Sequence, residues 1–336
     1  MIVLGVVLAL SLRWRLAPVA ALALLVAGLD LRVAYFGAAG TSDVLVVTRA
    51  AIEQVLAGGS PYGAGFDASV PPGGSYPYGP LPLLWYLPTL SEPRVMEVAV
   101  AAVILLLLTI RGRLLGLAIY ACAPILLRLT GDGSNDTSAG LLLLGAMALL
   151  PRLPRAGALV LGLAIAFKPH ALAWVPPLLV WAGWPVLLPL AIGAGLFWVP
   201  ALLMWSPGAV LESIRLSDRI HGAPYYSLGH ALRRFDISIP AETLNLFRFA
   251  AGGLTALAVM QRVRTADGVI VGGSLIFLAT LFSGFWSTFA YFAALAPAIC
   301  WHLDRWLGQD DRRIRWPSDP VGRLTEAVDR RWPAVA

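Results

Sequence analysis

Asp43, Lys168 and three tyrosines are the side chains of this sequence best placed to do chemistry. Ser42 caps a helix that begins at Asp43, with Val44, Val47, Ala51 and Val55 on an apolar face and Thr48, Arg49, Glu53 and Gln54 on a polar one. Gly58-Gly59 stops this helix, and its two faces suit it to a membrane interface. Asp43, in the first turn, favours the helix dipole, and its place at the exit of an apolar stretch leaves a chemical role open. Lys168 is the only lysine, and it falls inside an apolar stretch. An ionised group there is costly and is a functional candidate by default. Pro169 breaks the helix beside it, so Lys168 is expected to face a cavity, where an ammonium can hold a phosphate. The alternative is snorkelling to the interface. His170 follows directly.

Tyr62, Tyr76 and Tyr78 belong to a Gly/Pro-rich loop, where they form an aromatic belt or stack on a sugar face and donate hydrogen bonds. Gly131 to Thr137 interrupts two apolar segments. Its acids do not complete a calcium loop, so it either caps the helix at 138 through Asp136 or Thr137 or forms a polar cavity wall. Arg215 and Arg219, one turn apart on an amphipathic helix, clamp a lipid-linked phosphate or contact lipid head groups. His221, Tyr225, Tyr226, Ser227 and His230 follow them. Four widely spaced histidines make no zinc site, and no nucleophile elbow, P-loop or dinucleotide fingerprint is present, so neither a metal nor a cofactor is expected.

The elements that must position these groups are transmembrane. Hydrophobic residues make up 58% and charged residues 13% of the chain, with a mean hydropathy of +0.76. Soluble domains carry about 25% charged residues, and 336 residues with so few charges cannot build a water-soluble shell. Apolar segments at 16–36, 95–110, 114–129, 138–150, 156–167, 171–184, 186–204, 243–260, 268–283 and 288–302 predict an all-α polytopic bundle of about ten spans. Residues 303–336 read as a cytoplasmic tail. Residues 78–94, with Pro80, Pro82, Pro88 and Pro93, read as a re-entrant or interfacial stretch. Met1–Leu12 is apolar and short, and runs into Arg13 and Arg15 without a small-residue cleavage site.

Even numbers of segments separate the arginine pairs Arg13/Arg15, Arg111/Arg113, Arg152/Arg155 and Arg262/Arg264 from one another and from the arginines that open the tail, which puts all of them on one face, the cytoplasmic one. The formal charge of +6 comes from these segment ends, so nucleic acid is not an expected partner. The opposite face receives 37–77, 130–137, the Lys168 region, 206–240 and 284–287, which hold most of the other polar residues. Cys122 and Cys300 lie in apolar segments and read as small core residues.

At these residues the chain resembles the GT-C glycosyltransferases, specifically the bacterial polyprenyl-phosphate-mannose-dependent mannosyltransferases of glycosyltransferase family 87. The likeness covers about residues 16–300 and rests on motifs in the family's order. These are Ser42-Asp43, Gly58-Gly59-Ser60-Pro61-Tyr62, Tyr78-Gly79-Pro80-Leu81, the turn from Gly131 to Asn135, and Gly162-Leu163-Ala164 through Lys168-Pro169. The resemblance implies an inverting transferase of the plasma membrane that moves a sugar, mannose by the likeness, from a polyprenyl phosphate to a lipid or glycan acceptor on the extracytoplasmic side. The family's catalytic aspartate carries over to Asp43 as general base. Asp30, near the outer end of the first span, is the second candidate. Lys168 or Arg215 would stabilise the phosphate charge as it develops, with Tyr62, Tyr76, Tyr78, Asn135, His170, Arg219 and His221 around the substrate. The chain departs from the family at Phe285-Trp286-Ser287-Thr288, where members often carry a histidine; His221 or His230 is the candidate to replace it.

Two other classes fit parts of this pattern. A transporter or flippase of a lipid-linked sugar shares the aromatics and cations but calls for polar groups near mid-bilayer. A scaffold would leave the polar loops without a purpose.

Overall fold

The computed structural model describes residues 17–111, 114–220 and 224–308, without the side chains of Asp218 and Arg219. Every one of the ten apolar segments falls on helix. In chain order the helices are α1 (Ala17–Ala38), α2 (Asp43–Leu56), α3 (Leu81–Trp85), α4 (Arg94–Arg111), α5 (Leu114–Cys122), α6 (Pro124–Asp132), α7 (Asp136–Leu149), α8 (Pro154–Phe167), α9 (Val175–Ala182), α10 (Leu187–Trp205), α11 (Pro207–Ile220), α12 (Leu228–Arg233), α13 (Ala241–Met260), α14 (Ala266–Phe282) and α15 (Tyr291–Trp306). Single 3-10 turns cover Leu87–Thr89, Pro169–Trp174 and Trp184–Val186. Two short strands, β1 (Gly65–Phe66) and β2 (Gly74–Ser75), pair antiparallel in the loop after α2.

The expectation of about ten spans is met only in part. Among the described residues three helices are long and apolar enough to cross a membrane: Ala17–Ala38, Trp184–Trp205 and Ala241–Met260. The pair α5 and α6, bent by 55°, counts as a fourth if taken as one span. The others fall short by length or charge. α7 and α8 have 14 residues each, about 21 Å of helix against an apolar layer of about 30 Å. α4 is long enough but carries Arg94, Glu97 and Arg111. The protein is therefore an all-helical, membrane-associated bundle whose breaks fall largely at prolines. The stretch 78–94 forms only α3 and a 3-10 turn, too short to span, as its prolines predict.

The bend between α5 and α6 shows how sequence builds these breaks. Pro124 has no N–H, so the Tyr120 carbonyl loses its helical partner. Arg32, fully buried on α1, supplies one, donating to the carbonyls of Tyr120 at 2.7 Å, Gly28 at 3.0 Å and Ala121 at 3.3 Å. Close packing elsewhere uses small residues. A Cβ on Gly162 would lie 2.3 Å from the Leu190 carbonyl oxygen, and one on Gly193 would lie 2.1 Å from that of Leu159, so α8 and α10 touch backbone to backbone.

Two apolar clusters fill the interior. One joins α1, α4, α5, α6 and α15; the other gathers α2, α3, α7, α8, α10 and α14 around Trp174 and Phe277. Trp85 and Met96 pack against both. Between them lies a buried carboxylate, Glu97 on α4, which accepts from the Tyr86 hydroxyl at 2.6 Å, the Ser138 amide at 3.2 Å and the Ser138 hydroxyl. This corrects the expected capping by Asp136 or Thr137. α7 begins at Asp136, after Asn135 with no side-chain cap, and one of its free amides is met by Glu97 from another helix. The last helix continues past 303, the expected start of the tail. α15 runs to Trp306, and the Asp304 carboxylate accepts from the amides of Leu115 at 3.2 Å and Gly116 at 3.0 Å. Residues 1–16, 112–113, 221–223 and 309–336, with the expectations that fall on them, among them Arg13, Arg15 and Arg113, lie outside the described residues.

Candidate functional site

The five stretches that the arginine pattern places on one face meet at one cavity of about 450 Å³. It is lined by Ser42 to Val44 and Val47, by parts of the loop from Ser69 to Tyr78, by Leu129 to Asp136, by Lys168 to His170, by α11, and by Trp286 and Thr288 to Tyr291.

Asp43 reaches the cavity because the start of α2 is fixed. The Ser42 hydroxyl accepts from the Val44 amide at 3.4 Å, and the Ser42 amide donates to the Asp132 carbonyl at 2.6 Å. The buried face of α2 is Leu45, Val47, Thr48, Ala51 and Ile52. Thr48 was expected on the polar face; it buries by turning its hydroxyl to the Val44 carbonyl at 2.7 Å. Asp43 itself is exposed at the mouth.

Lys168 is deeper. α8 stops at Phe167 because Pro169 cannot continue it, and Lys168 adopts an extended backbone at φ −137° and ψ 116°. Its ammonium donates to the Asp136 carboxylate at 2.7 Å, with both side chains buried, and lies 5.3 Å and 5.9 Å from the ring centres of Tyr78 and Tyr291. The lysine is thus paired and does not snorkel. Asp136, expected either as a helix cap or as part of a polar cavity wall, lines the cavity and is its counter-ion, and as the first residue of α7 it also meets the positive end of the helix dipole. Tyr78 is brought alongside by close backbone contact. A Cβ on Gly79 would fall 1.9 Å from the Ala166 carbonyl oxygen, and the Gly79 amide donates to the Phe167 carbonyl at 3.1 Å.

The other tyrosines do a different job from the one expected. Tyr62 and Tyr76 are buried behind Tyr78, outside the cavity lining. Their hydroxyls donate to the carbonyls of Tyr78 at 3.2 Å and Gly79 at 2.7 Å, holding the turn that presents Tyr78. Burial raises the phenol pKa of all three, with Asp43 and Asp136 adding to the rise at Tyr78, so they stay protonated donors at neutral pH. The rings of Trp205, Tyr62, Tyr76 and Tyr78 form a row with centre distances of 5.8, 5.5 and 5.5 Å.

A roof closes over this floor. Ser69 ties the β1–β2 hairpin through the Phe66 and Pro71 carbonyls and the Gly74 amide. The hairpin clamps α11, with the Ser75 hydroxyl on the Ser213 carbonyl at 2.5 Å and the Gly63 amide on the Ser213 hydroxyl at 2.9 Å. α11 then offers Ile214, Ser217 and Ile220 to the cavity. Arg215, about 100° further round the helix, is exposed beside Glu212 at 3.9 Å and does not line the cavity. The Arg219 side chain and all of His221 lie outside the described residues.

Three further residues were placed by sequence alone. Asp30 is exposed on α1 and absent from the lining. His170 does line it, with its ring edge-on to Phe277 at 5.0 Å and Tyr291 at 5.5 Å and its Nε2 buried without a hydrogen bond. His170 is the only described histidine at the cavity; His230 lines a separate shallow hollow with Tyr226 and Arg234. Asn135 is fully buried between two lining residues, and neither end of its amide has a partner. Ser217 and Tyr291 were missed, because only the fold places them at the cavity, while Asp132 belongs to the 131–137 stretch read as a helix cap or a polar cavity wall. Among the described residues no group of His, Cys, Asp and Glu has the makings of a metal site.

The fold and site together define a helical membrane-associated protein with a polar, aromatic-lined cavity where its polar stretches meet. No family model, no curated protein and no solved structure matches the chain.

Proposed function

We propose that the protein is a membrane glycosyltransferase of GT-C type that moves a sugar, mannose by the resemblance, from a polyprenyl phosphate to a lipid or glycan acceptor, with inversion. The observation that carries this reading is that Asp43 and the Asp136-paired Lys168 line one cavity with Tyr78 and Tyr291. A volume near 450 Å³ falls among small-molecule sites of about 300–1,000 Å³.

In this reading Asp43 takes the proton of the acceptor hydroxyl as its oxygen attacks the sugar C1. The bond from C1 to the phosphate oxygen breaks, and its electron pair leaves with polyprenyl phosphate. The field of Lys168 favours the charge that the departing phosphate gains. Tyr78 and Tyr291 offer ring faces and hydroxyls to the sugar. An apolar groove of about 440 Å³, lined by Ile52, Val55, Leu84, Leu196 and Met204 among others, suits an isoprenoid chain. The active site would open on the extracytoplasmic side of the plasma membrane, opposite the arginine pairs.

The test is reconstitution in proteoliposomes with labelled polyprenyl-phosphate mannose and a crude lipid extract. A new glycosidic bond supports transfer. Movement of the label across the bilayer without a new bond would favour a flippase.

A further inference from the structure

We infer that Arg128 anchors the phosphate of a lipid-linked substrate at the rim of the cavity. The identity of that lipid rests on the transferase reading; the phosphate chemistry rests on the geometry.

Of the cations expected at the site, none is free to grip an anion in the described structure. Lys168 has its charge met by Asp136 at 2.7 Å in a buried pair. Arg215 is turned away beside Glu212. Arg128 differs from both. It is exposed on α6, and its guanidinium lies 5.7 Å from the ring centre of Phe289, which lines the cavity. Its neighbour Leu129 lines the cavity too, as does Asp132 one turn on. Among the described residues no carboxylate forms an ion pair or hydrogen bond with Arg128, although Asp132, one turn on along α6, and Tyr225 feel its charge.

Its setting favours an anion. Arg128 lies within the apolar segment 114–129, and Asp132, where α6 ends, is about 6 Å further along the axis. Ile125, one turn before it, is exposed. An exposed guanidinium with no hydrogen-bonded carboxylate has donors left to fill. What a membrane offers it is a phosphate ester, whose oxygens the guanidinium fork fits. The charge inside the cavity also favours the rim, because the lining sets three carboxyl groups, Asp43, Asp132 and Asp136, against one ammonium. A phosphate held at Arg128 need not pass them.

Polyprenyl phosphate and bulk phospholipid both supply this chemistry, and the experiment separates them. The full chain, as wild type, Arg128→Gln and Arg128→Lys, is placed in phosphatidylcholine nanodiscs and titrated with labelled polyprenyl phosphate. Wild type should bind saturably, Arg128→Gln about tenfold or more weakly, and Arg128→Lys in between, because lysine keeps the charge but loses the fork. Excess phosphatidylglycerol should not displace the label. Wild-type binding by Arg128→Gln would overturn the inference, as would displacement by phosphatidylglycerol at equal concentration. If Arg128→Gln does not purify as a single species, Arg128→Lys carries the test, and an unchanged affinity there overturns the inference. Donor kinetics separate the two levels. Binding through Arg128 with no transfer from any labelled sugar donor would keep the anchor and remove the transferase reading. Transfer with the same donor KM in wild type and Arg128→Gln would do the reverse.

Discussion

Two hollows of nearly equal size, about 450 and 440 Å³, share helix α2 and are otherwise opposites. Its first turn, with Asp43, belongs to the polar cavity; its last turns, with Ile52, Val55 and Leu56, belong to the apolar groove. The cavity depends on individual bonds: a buried ion pair, a capped helix start, and tyrosine hydroxyls on named carbonyls. The groove depends only on aliphatic surface. In lipid, aliphatic surface has no water to escape, so the groove adds little stability. A single wrong atom in the cavity leaves a buried charge or donor unmet. The difference predicts where the molecule is brittle and where it is tolerant.

The largest effect is expected at the cavity mouth. Asp43→Asn removes the proposed base and should lower transfer by about a hundredfold to ten-thousandfold, with the protein still a single species in detergent. Next is the buried pair. Asp136→Asn or Lys168→Met alone should cost about 3–5 kcal/mol, because each strands a buried charge. The double variant Asp136→Leu/Lys168→Met should cost less than the sum of the singles. A denaturant titration of the four proteins checks this, and strict additivity would contradict the pairing. Tyr76→Phe leaves the buried Gly79 carbonyl short of a donor and should cost about 1–3 kcal/mol by the same titration. Leu84→Ala in the groove, where Leu84 is 59% exposed, should change stability by about 0.5 kcal/mol or less. Arg215→Gln should have as small an effect, since an exposed pair at 3.9 Å is screened by solvent and contributes little to stability; a large loss of transfer there would return Arg215 to the site.

The same contrast explains what the sequence could reveal. Patterns local in the chain were legible: the Ser42 cap, the helix ending before Pro169, the ten apolar segments and the failure of 78–94 to span. The arginine spacing carried further, since it grouped the five stretches that meet at the cavity. Pairings across the fold were not legible. Lys168 and Asp136 are 32 residues apart and Arg32 and Tyr120 are 88 apart, and no periodicity links them. A lone lysine in an apolar segment read as facing a cavity or snorkelling, and only the placement of α7 shows its partner in Asp136. Tyr62 and Tyr76 read as ligand groups because sequence shows a hydroxyl and not the carbonyl it meets. Arg128 drew no notice because arginine near a segment end is ordinary; its exposure beside Phe289 is a property of the fold.

The central claim is that Asp43 removes a proton during sugar transfer, and the most direct measurement compares Asp43→Asn with Asp30→Asn in the proteoliposome assay. Asp30 lies away from the cavity, so its variant should transfer at the wild-type rate while Asp43→Asn falls to background. Loss in Asp30→Asn with retained turnover in Asp43→Asn would contradict the account.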